Sequence, residues 1–200
     1  MTVGGRLGLI LILSTILGGC GRAASDKAAC EAGLYAFKAL AIPTEQHVRW
    51  TLETGGELPR FAAADKRDSA PPAFSQMPVP TTFWAAEGDG EVRPADATIR
   101  AFTRGKLQGV ENCSSVRDAA KALSVLGPVQ RGARKLGPDG LYEVSSVTMS
   151  RPVLSPNGNE ALLYAAYSSG PLAASGMLYL LRRDAGGEWR VAGKIGLWIS

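Results

Sequence analysis

Three apolar runs decide the fold: Glu160-Ala-Leu-Leu-Tyr-Ala-Ala-Tyr167, Gly176-Met-Leu-Tyr-Leu-Leu-Arg-Arg183 and Glu188-Trp-Arg-Val-Ala-Gly-Lys-Ile-Gly-Leu-Trp-Ile199. Their lengths and the turn residues that bound them fit strands. The joints between them, Ser168-Ser169-Gly170-Pro171 and Asp184-Ala185-Gly186-Gly187, are turn chemistry. An earlier run, Tyr142 to Val153, leads into Ser155-Pro156-Asn157-Gly158-Asn159 and adds a fourth strand. Short turn-rich joints make antiparallel neighbours, so the block from 141 to 200 reads as a four-stranded antiparallel meander. Leu162 to Ala166 is apolar at consecutive positions, as a strand covered on both sides or placed centrally requires. In the last run Trp189, Val191, Ile195, Leu197 and Ile199 fall on one face, and Arg190, Lys194 and Trp198 on the other.

Upstream, the periodicity changes to helical. Cys30, Leu34, Phe37 and Ala41 recur on one face of a helix expected from Asp26 to Ala41, capped by Ser25 and stopped by Pro43. Gln46 to Thr54 alternates as a strand, with Val48, Trp50 and Leu52 inward. Residues 55–80 form a Pro/Gly-rich loop, with room for a short helix around Arg60 to Lys66. Thr81 to Ala86 and Glu91 to Arg93 make a hairpin across Gly88-Asp89-Gly90. A short helix follows from Pro94 and Asp96 to Arg104. A second, from Ser115, carries a capping-box-like Ser115-Val116-Arg117-Asp118 and stops at Gly127-Pro128. The expected fold is α+β, with N-terminal and central helices packed on one face of the C-terminal sheet.

The first 20 residues have a separate logic. Arg6 is the sole charge before Arg22, and Leu7 to Leu17 is an apolar run of 11 residues. A spanning helix needs about 20; the shorter run fits the core of a secretory signal peptide. It ends in Leu17-Gly18-Gly19-Cys20. This segment resembles bacterial lipoprotein signal peptides, in which an aliphatic residue and two small residues precede a cysteine. The resemblance implies cleavage before Cys20, a diacylglyceryl group on its sulfur and a membrane held through that lipid. Residues 1–19 are then the signal peptide, 20–25 a lipidated tether and 26–200 a single α+β domain. The resemblance also implies a place in the bacterial cell envelope. With Gly21 where an inner-membrane retention aspartate would stand, the outer membrane is favoured over the inner.

With 1–19 removed, 181 residues remain, enough for one core. Losing Arg6 lowers the net charge from +4 to +3, too small an excess to argue for nucleic acid. If Cys20 carries lipid, Cys30 and Cys113 are left in an oxidising compartment, which favours a disulfide between them; two separate buried thiols are the alternative.

The C-terminal block also resembles a recurrent ending of uncharacterised secreted bacterial proteins and lipoproteins. The features are Ser169-Gly170-Pro171-Leu172, Gly176, Tyr179-Leu180-Leu181-Arg182-Arg183, Trp189-Arg190-Val191 and Trp198-Ile199. Such relatives carry cysteines around the Gly-Pro-Leu turn, and this chain has none there. The resemblance implies a fold and no activity.

Catalytic signals are weak. No phosphate-binding loop, dinucleotide fingerprint, nucleophile elbow or zinc-protease motif occurs, so no cofactor or metal is implied. His47, the single histidine, falls on the polar side of its strand without a local partner. Glu143 and Glu160 lie on or beside adjacent strands and are candidates for a carboxylate pair, although surface acids explain them more simply. The acids Glu87, Asp89 and Glu91, the cluster Asp65-Lys66-Arg67-Asp68 and the basic Arg131, Arg134 and Lys135 all read as solvated turns and connectors. The expected role is a non-catalytic binding or structural module, whose partner would be another envelope protein or a glycan. The alternative is a small-ligand-binding or hydrolytic domain with a pocket between sheet and helices.

Overall fold

The computed structural model describes residues 17–41, 49–55, 57–63, 76–80, 82–85, 90–123, 125–128, 144–170 and 173–199. Among them the chain forms α1 (Leu17–Ala36) with a π turn (Phe37–Ala41), β1 (Arg49–Thr54), β2 (Arg60–Ala63), β3 (Gln76–Val79), β4 (Phe83–Ala85) and β5 (Glu91–Val92). Next come α2 (Asp96–Thr103), a single 3-10 turn (Val110–Asn112), α3 (Ser114–Ala122) and β6 (Leu126–Pro128). The C-terminal strands are β7 (Val144–Met149), β8 (Val153–Leu154), β9 (Glu160–Gly170), β10 (Ala173–Arg183) and β11 (Trp189–Ile199). The fold is mixed α+β.

One large sheet runs in the order β5-β4-β11-β10-β9-β7-β1-β6, with β8 also paired to β9. Most pairs are antiparallel, but β1 lies parallel to both β6 and β7. Those strands are joined by long stretches of chain, the condition for parallel neighbours. The short C-terminal joints could not reveal this, and the sheet is mixed rather than purely antiparallel. The expected strand from Tyr142 to Val153 is divided: β7 and β8 each pair with β9, at different positions along it.

Strand β9 is buried on both faces, and the two faces build two cores. Ala161, Leu163 and Ala165 join Tyr179 and Leu181 of β10 under α1 and α3, with Ala32, Ala36, Phe37, Val116 and Ala120. Leu162 and Tyr164 join Leu178 and Leu180 under α2, with Ile99, Phe102, Phe61 and Phe83. The helices therefore cover both faces of the sheet, not one. A second small sheet pairs β2 with β3 in parallel, where a short helix around Arg60 to Lys66 was an option. Phe61, buried against Phe102 and Tyr164, explains the choice: tertiary packing outweighs a weak local helix preference.

Helix α1 starts at Leu17, upstream of the expected Asp26, so Ser25 is inside it rather than capping it. Its inward face is lined by small residues, and a Cβ on Gly33 would meet Val110 Cγ2 at 3.0 Å. This brings the helix close to the turn before α3. Helix α3 is capped at Cys113 without a side-chain hydrogen bond, so the capping box expected from Ser115 is not made.

The last strand also departs from simple alternation. Its pairing with β10 slips between Leu180 and Leu181 and again between Gly176 and Met177. One inserted residue reverses the face of everything beyond it. Trp189 and Val191 pack under α1, while Ile195 and Leu197 pack on the α2 side. Beside the first slip, the Val191 amide donates to the Tyr35 hydroxyl of α1 at 3.2 Å. Opposite Trp198 stands Gly176, where a Cβ would collide with the indole ring. Glycine here makes room for the tryptophan.

Candidate functional site

The β8–β9 hairpin closes with a compact turn. Gly158 takes φ +73°, a left-handed conformation that glycine adopts without a Cβ penalty. Its amide donates to the Ser155 carbonyl, and Asn157 Oδ1 accepts from Ser155 Oγ and the Asn159 amide. The turn sits beside the ends of β9 and β10 and the start of α2. Together they border an open cleft of about 360 Å³, whose lining includes Ser155, Asn157, Asn159, Glu160, Arg182 and Ala95. It lies at the rim of the sheet, not between the sheet and the helices.

Glu160 is the buried carboxylate of this cleft, 8% exposed. Its Oε1 accepts from the Ala95 amide and from Thr98 Oγ1, both at 2.7 Å. Its Oε2 accepts from Arg182 Nε at 2.8 Å. Ala95 is the N-cap of α2 and offers no side-chain cap of its own. Glu160 therefore does from a neighbouring strand what a capping-box glutamate does from within the helix: it takes up an amide orphaned at the helix start. The negative charge also favours the positive end of the helix dipole. Arg182 is held at a second point, donating from Nη2 to the Arg93 carbonyl at 2.7 Å. Arg93 in turn pairs with Asp96 in the first turn of α2. Glu160 and Arg182 are direct cross-strand partners in the β9–β10 register. They could thus have been paired from the two apolar runs alone; the Ala95 and Thr98 donors come from a separate helix and had no such signal.

Cys30 and Cys113 are joined, with an S–S distance of 2.08 Å and Cα atoms 5.3 Å apart. The bond ties the middle of α1 to the N-cap of α3. Cys20 lies in the first turn of α1. His47, Glu143, the basic residues Arg131, Arg134 and Lys135, and the 65–68 charge cluster fall outside the described residues, and with Glu143 the candidate Glu143–Glu160 pair. Among the described residues no helix is long and apolar enough to cross a membrane, and no group of three or more His, Cys, Asp or Glu side chains stands close enough to hold a metal ion.

Under α1 a second polar feature is buried in the core. Tyr167 and Tyr179 share a hydroxyl contact of 3.0 Å, and Tyr179 also donates to Met177 Sδ at 3.3 Å. Burial pushes both phenols, and that of Tyr164 on the opposite face, above the ordinary tyrosine range. A phenol whose pKa is raised by folding contributes stability below the unfolded value, and that stability is lost as pH rises towards the folded one. Stability should therefore hold below about pH 10 and fall above it. In a spectrophotometric titration, these three tyrosines should ionise at higher pH than a free tyrosine. Ionisation of all the tyrosines at the ordinary value with the fold intact would contradict the burial.

No protein-family model, curated protein or solved structure matches this chain.

Proposed function

We propose that the chain is a lipid-anchored protein of the bacterial cell envelope, cut before Cys20 and held by acyl chains on that cysteine, with a domain that binds rather than catalyses. The Leu17-Gly18-Gly19-Cys20 sequence supports the anchor. Each buried methylene contributes about 0.8 kcal/mol, so two or three chains hold firmly where one does not. A joined Cys30–Cys113 pair is consistent with an oxidising compartment. With Cys20 as first residue, α1 would place the lipid about 14 Å along the helix from Ala29, the first buried residue among its described side chains. The domain then stands close to the membrane on a helical stalk. Gly21 favours the outer membrane. The four C-terminal runs act in this reading as a single antiparallel meander, the scaffold that carries the cleft.

The observation that carries the non-catalytic part is the state of Glu160. Three protein donors occupy its carboxylate and commit it to fixing α2 and Arg182. A general acid or base needs an oxygen facing the substrate. What the cleft offers is polar recognition, and a partner bearing polar groups, another envelope component or a glycan, suits it.

Two measurements test this reading. Metabolic labelling with an acyl probe should mark the native protein and not Cys20→Ala, which should leave the membrane fraction. Unchanged labelling of the variant would refute the anchor. Purified mature protein should not turn over peptidoglycan, lipid esters or peptides; turnover lost in His47→Ala or Glu143→Gln with the fold intact would replace the binding reading by a hydrolytic one.

A further inference from the structure

From the geometry of the cleft at the β8–β9 turn we infer that it is a binding site for a carboxylate-bearing saccharide, with Arg182 as the anion-recognising group. This deepens the binding-module reading and rests on it.

Three features point the same way. Arg182 is fixed from two sides, by Glu160 on Nε and by the Arg93 carbonyl on Nη2, and neither contact uses Nη1. A guanidinium already held in place loses little freedom on meeting a ligand, and its planar fork matches a carboxylate. The one acid of the lining is also committed: Glu160 is paired with Arg182 and takes up the Ala95 and Thr98 donors, while Arg183 is engaged elsewhere, by Glu31, the Gly187 carbonyl and the Trp189 ring. Finally, the remaining polar lining is amide and hydroxyl: Ser155, Asn157 and Asn159. An amide side chain both donates and accepts, which suits ring hydroxyls and acetamido groups. Asn159 is exposed and its side-chain amide makes no hydrogen bond to another described residue, whereas Asn157 spends its side-chain oxygen on the turn. Pro156 and the Ala95 and Ala97 methyls supply apolar surface for a ring edge or an acetamido methyl. The size, about 360 Å³, lies near the lower end of small-molecule sites, about 300–1,000 Å³.

The experiment is isothermal titration of the full mature protein with N-acetylmuramic acid, N-acetylglucosamine and acetate. The first two sugars differ by the lactyl carboxylate. N-acetylmuramic acid should bind at least about tenfold more tightly than either of the others. Asn159→Asp places a negative charge in the cleft at an exposed position and should weaken that binding by about tenfold with an unchanged unfolding temperature. Asn159→Ala should weaken it less. Equal binding of N-acetylglucosamine would remove Arg182 from the recognition. Equal binding of acetate would reduce the cleft to a simple anion site and overturn the saccharide proposal. No heat with N-acetylmuramic acid, or binding indifferent to Asn159→Asp, would overturn the site itself. All of these outcomes are read independently of acyl labelling and turnover, so the site can fail while the anchored, non-catalytic reading stands.

Discussion

The Cys30→Ala/Cys113→Ala double variant should lose about 4–5 kcal/mol of stability. The two cysteines are 83 residues apart, and the chain-entropy account gives about this value for a loop of that length. The loss would be a large part of the roughly 5–15 kcal/mol that holds a domain together. Cys113 is 1% exposed and sits in the core between α1 and α3, so the bond has no solvent-accessible substitute there. Urea unfolding of the oxidised protein and the double variant measures the effect, and reduction of the native protein should move the midpoint in the same direction. Coincident unfolding curves would mean that helix packing alone fixes α1 to α3.

Glu160→Ala should cost about 3 kcal/mol. Removing one partner of a buried ion pair costs about 3–5 kcal/mol, and the half-exposed Arg182 moves the expectation to the lower end because solvent screens its share. The alanine variant leaves the Ala95 amide and the Thr98 hydroxyl without their acceptor and frees Arg182 on one side. Glu160→Gln keeps an oxygen for those two donors and loses the charge pairing, so its cost should fall in between, about 1–2 kcal/mol. Hydrogen exchange should localise the loosening to the first turn of α2. A Glu160→Ala protein as stable as the native one would remove the structural role and reopen Glu160 as a chemical group.

These two expectations differ in how far the sequence alone reaches. The disulfide was expected from cysteine parity and from the oxidising compartment that the Leu17–Cys20 stretch implies, with no geometry needed. The three long C-terminal strands follow from apolar runs and turn residues, because local patterning and global packing agree there. The flip within β11 does not follow, since alternation carries no mark of an inserted residue: Trp189 and Ile195 share a face on paper and lie on opposite faces in the sheet. The second covering face was half legible. Leu162 to Ala166 pointed to a strand covered on both sides or placed centrally, but nothing said that α2 and the Phe61 strand would cover the second face. Strands β2, β3 and β6 are three or four residues long, below the length at which periodicity distinguishes a strand from a loop. Among the residues of the cleft, Glu160 was singled out as an acid and Arg182 only as part of a terminal pattern. Their joint meaning depends on the register between β9 and β10 and on the arrival of α2, a contact 65 residues away in the chain.

The most direct test of the anchored reading is the mass of the N-terminal peptide of the protein extracted from membranes. The expected peptide begins at Cys20 and carries a diacylglyceryl group on sulfur, with or without a further acyl chain on the amine. A peptide that still contains residues 1–19, or one beginning at Cys20 or later without lipid, would contradict it.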